Sequence, residues 1–206
     1  MIALLLTASL AFASDWEFIS DKDGVQTYKS EVEGSPLLGF RGVATLDVHI
    51  SKLLGLILDD DKCTDWIDLL TECSVPRRLA DNVDLTYQRY DLAWPISDRD
   101  YSVRRSVELD LAKSEVTILF ESVEHDAIPE YEGNIRATVM RTRWKMSVVE
   151  GDKTHIDSEV FTDPKGAIPA WLVNRVQGGW ARKSILALEE GAQKPDVKPY
   201  ADIATW

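Results

Sequence analysis

Alternation of apolar and polar residues dominates this chain and predicts β-strands, because successive side chains of a strand point to opposite faces. Three such segments come first, at residues 16–20, 25–29 and 37–46, and six follow at 73–79, 84–92, 101–111, 115–123, 135–149 and 155–162. Most links between them are short and rich in Gly, Pro, Asp or Asn, which favours antiparallel neighbours. The pattern therefore predicts an antiparallel sheet of about nine strands.

Helical spacing replaces the alternation in two places. After the third strand, apolar residues recur three to four apart from Leu53 to Leu58, and residues 63–70 suit a second short helix. Near the C-terminus, Pro169 suits the first turn of a helix that runs to about Glu190. Its apolar stripe consists of Leu172, Val173, Val176, Trp180 and Ala187. The fold class is thus α+β, with a helix pair inserted after strand 3 and one long helix available to cover the sheet.

The two ends of the chain differ from its middle. Residues 2–13 are apolar and end in Ala11-Phe12-Ala13, which is typical of a secretory signal peptide, although no Lys or Arg precedes the run. We expect a signal segment over 1–13, one domain over 14–193 and a loose C-terminal tail over 194–206. The protein would then be periplasmic or secreted, and without a signal it would be cytoplasmic.

Two cysteines, Cys63 and Cys73, are consistent with either compartment. In an exported protein they could form a disulfide, whereas in the cytosol they would be two small buried apolar residues. Their spacing gives no zinc signature, because nothing nearby supplies the other ligands.

Composition and motifs argue against several functions. The formal net charge is −12 and no large basic cluster occurs, whereas nucleic-acid binding needs cations to neutralise phosphates. The three histidines form no motif, and no phosphate-binding loop, dinucleotide fingerprint, catalytic serine elbow or zinc-protease motif is present. The run Asp59-Asp60-Asp61 fits a solvated helix end better than a calcium loop. The sequence predicts no metal, no cofactor and no catalytic residue.

The sixth predicted strand carries an arginine on its apolar face. Arg105 shares that face with Tyr101 by alternation, and an arginine there requires a carboxylate or a polar group of a ligand. Asp91 and Glu121 are the candidate carboxylates. Alternatively, the arginine reaches solvent at the strand end, or a bulge shifts the register and turns Arg104 inward.

A stripe of methionine and tryptophan marks the eighth predicted strand. Met140, Thr142, Trp144 and Met146 share one face by the same alternation. Such a stripe packs in a core more often than it lines a binding site. Two methionines beside an aromatic ring and a threonine also suit a deformable apolar pocket with hydrogen-bonding groups.

Two segments resemble the steroidogenic-acute-regulatory-protein-related lipid transfer (START) domain family. Trp94-Pro-Ile-Ser-Asp-Arg-Asp-Tyr-Ser-Val-Arg-Arg105 is similar to that family's P-x-S-x-R-D-[FY] entry into a strand with an inward arginine. Asp163-Pro-Lys-Gly166, followed by Ile168-Pro-Ala-Trp-Leu-Val-Asn174, is similar to the start of the family's C-terminal helix. The resemblance extends over residues 15 to about 193.

This resemblance implies a helix-grip fold, in which a curved sheet wraps around the C-terminal helix and encloses an apolar tunnel for one lipid. The helix would act as a lid. The protein, a monomer with transient membrane contact, would carry a sterol-like or phospholipid-like molecule between membranes without chemistry. The family's cavity arginine maps to Arg105. The predicted lining consists of Tyr101, Val103, Arg105, Met140, Thr142, Trp144 and Met146 from the sheet, and Trp171, Leu172 and Val176 from the helix.

Gly178 and Gly179 lie inside the predicted helix, where each glycine costs about 1 kcal/mol relative to alanine. We expect a hinge of the lid there, and close packing of the helix on the sheet is the alternative. Two other functions stay open. One is a cyclase or hydrolase with a general acid or base in the cavity, for which the candidates are Asp91, Glu121 and His155. The other is a ligand-sensing interaction module.

Overall fold

The structure, a computed structural model, describes residues 15–92, 94 and 96–206, so the predicted signal segment 1–13 lies outside the described residues. Ten strands are present: β1 (Glu17–Lys22), β2 (Val25–Glu31), β3 (Leu38–Leu46), β4 (Leu70–Ala80), β5 (Val83–Tyr90), β6 (Arg99–Asp110), β7 (Glu115–Ser122), β8 (Ile135–Arg136), β9 (Thr138–Val148) and β10 (Thr154–Asp163). Three α-helices accompany them: α1 (Ile50–Ile57), α2 (Ala170–Gln177) and α3 (Trp180–Ala192).

The strands form one sheet in the order β1-β2-β3-β10-β9-β7-β6-β5-β4. All pairs along this path are antiparallel, and only the short β8 pairs in parallel, with β6. The predicted nine-strand antiparallel sheet with a C-terminal helix is therefore confirmed. The tenth strand arises because the segment predicted as one strand, 135–149, is divided at Ala137 into β8 and β9.

The insertion after β3 contains one α-helix rather than two. His49 caps α1, since its side chain accepts a hydrogen bond from the backbone amide of Ser51. The second helix predicted over 63–70 is wrong: the segment makes a single 3-10 turn, Cys63–Asp65, before β4 begins. Cys63 and Cys73 form a disulfide that ties this turn to β4, and Leu69 has a left-handed φ of 63°, which a helix does not accommodate.

The C-terminal helix, predicted as one element, is interrupted at Gly178 and Gly179. α2 ends with Gly178 as its C-cap, and α3 begins after Gly179. The amide of Gly179 bonds to the carbonyl of Val176 rather than to the residue four positions back, which tightens the turn. Two consecutive glycines lower helix propensity enough to explain the break.

The main core lies between the inward face of the sheet and the two helices α1 and α3. From α3, the side chains of Ile185 and Leu188 are fully buried, and Leu53 and Leu54 of α1 meet the same cluster. The large inward side chains of the central strands complete it: Val116, Ile118, Trp144, Met146 and Ile156. In the part of the chain that the structure describes, no helix is long and apolar enough to cross a bilayer.

The tail, predicted to be loose over 194–206, is packed against α1. Val197 and Ile203 are buried, and the amide of Tyr200 donates a 2.8 Å hydrogen bond to the carbonyl of Ser51. A Cβ at Gly55 would come within 2.1 Å of the carbonyl oxygen of Lys198, so only glycine permits this approach. The apolar residues three apart at 197, 200 and 203 explain why the tail docks.

Candidate functional site

Strand register identifies the inward face of the sheet, because directly paired residues of antiparallel strands point to the same side. In β6 that face carries Arg99, Tyr101, Val103 and Arg105, opposite Tyr90, Gln88, Thr86 and Asp84 of β5. Ser122 and Phe120 of β7 continue the face, and Thr142, Trp144 and Met146 of β9 extend it towards β10. Arg105 is thus confirmed as the inward arginine, and Arg104 is exposed on the outer face.

One half of this face is filled. Trp144 and Met146 are 4% and 0% exposed and pack under α1 and α3. The Trp144 ring makes edge-on contacts with Trp66 and Trp180, at centroid distances of 6.3 and 6.2 Å. These two predicted lining residues therefore belong to the packed core, and Val103 is buried in the same way.

The other half of the face, on β5, β6 and β7, carries partly accessible side chains. Tyr90 and Tyr101 are partly accessible, as are Phe120 and Ser122. The tyrosine rings contact each other edge-on at 5.5 Å. Burial raises the pKa of Tyr101 to about 12 and also raises that of Tyr90. These partly accessible side chains are the candidates for contact with a ligand on the inward face.

The inward face predicted for β9 is correct from Thr142 onwards and wrong before Thr142. A bulge lies opposite Phe161 and Thr162 of β10, and it places Met140 out of step with the rest of the strand. As a result Val139 is buried, at 8% exposed, where the alternation predicts Met140. Thr142 keeps its predicted inward position.

Arg105 is paired with carboxylates that the sequence interpretation missed. Its guanidinium bonds to Asp60 at 2.8 and 3.1 Å and to Asp84 at 2.9 Å. Burial alone would lower the pKa of Arg105, but the hydrogen bonds and charges of the two aspartates raise it. The predicted partners are wrong: Glu121 pairs with Arg104 on the outer face, and Asp91 is exposed.

Asp60 comes from the acidic run that composition assigned to solvent. The run follows α1, and the helix brings it over β6, where Arg105 also approaches the carbonyl of Ile57 at 3.5 Å. The ion pairs border an open cleft of about 670 Å³. Its other walls include Asp59, Arg78, Asp81, Lys198 and Tyr200.

Arg99 is a second inward arginine, and it links the two motifs that carry the family resemblance. Its Nε donates to the carbonyl of Pro164 at 3.0 Å and its Nη2 to that of Lys165 at 3.1 Å, and Nη1 donates to the carbonyl of Ser97. Gly166 has φ +72°, and a Cβ there would lie 3.0 Å from Arg99 Nη2. Burial lowers the pKa of Arg99. The arginine in the R-D-Y motif is the sequence signal that could have identified this contact.

α2 lies beside the start of β3 and the end of β10 and makes few apolar contacts. Its one buried residue is Val173. Asn174 accepts from the amide of Leu38 at 2.9 Å and donates to the carbonyl of Pro36 at 3.1 Å. Gln177 donates to the carbonyl and hydroxyl oxygens of Thr162 at 3.2 and 2.8 Å. Polar contacts at both sides therefore hold α2 in place.

Two of the predicted helix residues point outward. Trp171 and Val176 are 66% and 65% exposed, and Leu172 is half-buried. The inward side of α2 instead carries Val173 and Gln177, because the hydrogen bonds of Asn174 and Gln177 orient the helix. In this structure Trp171 and Val176 thus lie on the outside of α2 rather than along the interior.

Five buried polar atoms on or next to the inward face have no hydrogen-bond partner: Trp66 Nε1, Asp84 Oδ1, Arg105 Nε, Ser158 Oγ and Gln177 Oε1. Ser158 lies opposite Trp144 on the inward face, and the Trp66 ring contacts Trp144. Buried polar groups are normally satisfied, so these atoms are exceptions to the rule; Ser158 and Trp66 lie in the packed core around Trp144.

The acid–base candidates do not reach this interior. Glu121 is opposite Arg104, and His155 pairs with Ser147 and Thr45, so both belong to the outer face. His49 caps α1 and contacts the carbonyl of Trp206 at 3.2 Å. His125 accepts from the amide of Ala127 in the link after β7.

A curved antiparallel sheet around a C-terminal helix, with enclosed tyrosines and buried ion pairs on the inward face, defines a helix-grip ligand-binding domain. The sequence profile of the START domain matches residues 3–184, and the chain belongs to this family.

Two sequence relatives cover most of the chain. An uncharacterised protein of Pseudomonas aeruginosa is 28% identical over 193 residues, which is 93% of this chain and 94% of that protein. The phosphatidylcholine transfer protein of Mus musculus is 26% identical over 179 residues, 83% of this chain and 78% of that protein.

Two solved structures share the fold. Human STARD10 superposes with a TM-score of 0.82 at 23% identity, covering 90% of this chain and 76% of that one. The Zhui aromatase/cyclase from Streptomyces has a TM-score of 0.51 at 13% identity, covering 75% and 93%.

Proposed function

We propose that this protein encloses one lipid between the inward face of its sheet and the C-terminal helices, and carries it between membranes. The observation that carries this proposal is the group of partly accessible side chains on the inward face of the sheet, Tyr90, Tyr101 and Phe120. Membership of a family with lipid transfer relatives supports it. Burial of the lipid's apolar surface would supply most of the affinity, at about 25 cal/mol per Å².

α2 is the part that opens. It buries one side chain and is attached by polar contacts through Asn174 and Gln177, which water can replace at low cost. The break at Gly178 and Gly179 separates it from α3, whose apolar side chains belong to the main core. A lid consisting of α2 alone would therefore open while α3 stays packed.

Exposed aromatic residues near the lid suit transient membrane contact. Trp94 is 92% exposed in the link before β6, and Trp171 is 66% exposed in α2. Arg99 joins the two segments through its bonds to Pro164 and Lys165, so both tryptophans belong to the same end of the molecule. Tryptophan partitions favourably into the membrane–water interface.

Binding without catalysis is favoured over a cyclase or hydrolase. Glu121 and His155 point away from the interior and Asp91 is exposed, so none of the acid–base candidates faces an enclosed ligand. A general acid or base must reach its substrate within hydrogen-bond distance. We infer a monomer that needs no cofactor or metal.

Export is the proposed localisation. The disulfide between Cys63 and Cys73 supports an oxidising compartment such as the periplasm. Determination of the N-terminus of the mature protein tests this proposal: cleavage near Ser14 is expected, and a retained residue 1 in a cytosolic fraction would contradict it.

A vesicle assay tests transfer directly. Donor vesicles carry a fluorescent lipid and a quencher, and transfer to unlabelled acceptor vesicles restores fluorescence. Catalytic amounts of the protein are expected to accelerate transfer, and Trp94→Ala with Trp171→Ala should slow it. Leu111→Ala is the matched control, because Leu111 is 69% exposed and follows the opposite end of β6. Equal rates with and without protein would contradict the proposal.

A further inference from the structure

The end of the molecule that carries the two exposed tryptophans exposes two further apolar side chains. Val176 lies with Trp171 on the outside of α2 and is 65% exposed, and Tyr131 in the link 123–134 is 47% exposed. Together with Trp94, these side chains form a surface that we call the docking face. Aromatic and aliphatic side chains of this kind insert into the membrane–water interface.

The link 123–134 reaches this end of the molecule through its last residues. It leads into β8, where the amide of Ile135 donates to the carbonyl of Asp98 at 2.9 Å. A Cβ at Gly166 would lie 3.0 Å from the side chain of Ile135, so the turn before α2 is also adjacent. Three segments therefore border the docking face, namely residues 91–98, 123–134 and 163–177.

Carboxylates are concentrated in two of these segments. The link 91–98 contains two aspartates and the link 123–134 contains four acidic residues, and neither link contains a Lys or an Arg. The acidic residues of the longer link are Glu124, Asp126, Glu130 and Glu132. Two of them, Glu130 and Glu132, are exposed on either side of Tyr131 in the sequence.

The cations of the same end leave most of this negative charge uncompensated. Lys165 is paired with Asp163 at 2.8 Å, and Arg136 is paired with the buried Asp100 at 2.8 Å. Arg175 is exposed on α2 and offsets one carboxylate. A charge close to an anionic bilayer changes the affinity about fivefold, and the effect of a carboxylate is repulsive. A negative lipid surface would therefore repel the docking face.

We propose that the docking face selects zwitterionic lipid surfaces and excludes anionic ones. The exposed aromatic groups provide the attraction, and the carboxylates provide the selection. This inference rests on the proposed function, lipid transfer with transient membrane contact. It implies that the donor and acceptor membranes of this protein have a low negative charge.

Vesicles of two compositions test the selection. Phosphatidylcholine vesicles are compared with vesicles of phosphatidylcholine and phosphatidylglycerol in equal amounts, with the same fluorescent cargo lipid in both. Transfer between the phosphatidylcholine vesicles is expected to be at least about fivefold faster in about 0.1 M salt. Salt at about 1 M should narrow the difference, because the Debye length falls from about 10 Å to about 3 Å.

The outcomes separate the selection from lipid transfer itself. Equal or faster transfer with the anionic vesicles would overturn the selection and leave lipid transfer intact. A rate with the anionic vesicles that falls as salt is added would do the same, because it would show attraction to the anionic surface. Absence of transfer with both compositions would overturn the proposed function.

A pair of charge-matched variants tests the assigned residues. Glu130→Gln with Glu132→Gln removes two carboxylates beside Tyr131. Glu150→Gln with Asp152→Asn removes two exposed carboxylates from the turn after β9, at the other end of that strand. The ratio of the rates with zwitterionic and anionic vesicles is expected to fall about threefold or more in the first variant and to keep the parent value in the second. Equal ratios in the two variants would overturn the assignment to the docking face.

Discussion

The Nε atom of Arg99 donates a 3.0 Å hydrogen bond to the carbonyl oxygen of Pro164. This bond joins the first residue of β6 to the turn from which the C-terminal helix begins, 65 residues later in the chain. The lid therefore starts from an anchored point. The other end of α2 is at Gly178, where the helix is interrupted. Rotation of α2 about the two glycines must therefore strain or break the hydrogen bonds that Arg99 makes to the preceding turn.

Arg99→Lys should destabilise the protein although the charge is retained. Lysine cannot reproduce the planar fork that reaches several carbonyls at once, and each lost buried bond costs about 1 kcal/mol. We expect a loss of about 1–3 kcal/mol in the free energy of unfolding, measured by urea denaturation. Arg104→Lys, on the exposed outer face, should change it by less than about 0.5 kcal/mol. Equal effects of the two substitutions would contradict the anchor.

Asp84→Asn should cost more stability than Asp60→Asn, the other carboxylate change in the Arg105 cluster. The Asp84 side chain is 11% exposed, and breaking a buried ion pair typically costs about 3–5 kcal/mol. Asp60→Asn should cost less, because the Asp60 side chain is 27% exposed and Asp84 remains. Glu121→Gln, in a pair with both side chains more than 40% exposed, is the control and should have little effect. A larger loss for Glu121→Gln than for Asp84→Asn would refute the order.

Gly179→Ala should stabilise the protein and slow lipid transfer. Gly179 has φ −92° and ψ −14°, which alanine adopts readily, and a Cβ there meets nothing closer than 3.9 Å. Alanine should add about 0.5–1 kcal/mol of stability and stiffen the break between α2 and α3. Gly178 is less suitable, because its Cβ would lie 3.1 Å from the carbonyl oxygen of Asn174.

Thermal denaturation and the vesicle assay measure the two effects of Gly179→Ala. A higher melting temperature with an unchanged transfer rate would show that the glycines are not a hinge. Ala181→Gly makes the opposite change, alanine to glycine, in the first turn of α3 and should lower stability.

Tyr101 should make the protein lose stability at alkaline pH. Its pKa is about 12 in the folded protein and about 10 when unfolded, so the folded state holds the proton more tightly. The stabilisation is complete below pH 10 and is lost as the pH rises from 10 through 12. At pH 11 the loss should be about 1 kcal/mol. Tyr101→Phe should remove this part of the decline. The free energy of unfolding of the parent protein and of the variant is measured from pH 8 to pH 11. An identical decline in both proteins would contradict the raised pKa of Tyr101.

Alternation predicted the sheet and the inward arginine because both depend on local periodicity. Arg105 lies four residues from Tyr101, so its face followed from the strand alone. The partner of Arg105 could not be predicted from the strand, since Asp60 is 45 residues away and reaches Arg105 only because α1 folds across β6. An acidic run beside a helix end has the same sequence pattern whether it faces solvent or an arginine.

Polar contacts with the backbone explain the remaining differences. The stripe on the C-terminal helix was predicted from apolar residues alone, yet Asn174 and Gln177 make the contacts with Pro36, Leu38 and Thr162 that orient α2. The bulge at Met140 likewise follows from pairing with β10 and leaves no local signal.

Native mass spectrometry of the protein after incubation with mixed membrane lipids tests the central claim most directly. The account predicts a folded monomer whose mass increases by one lipid, with no second adduct at higher lipid concentration. A protein that stays at its own mass at saturating lipid, or that acquires several lipids in proportion to concentration, would contradict enclosure of a single molecule.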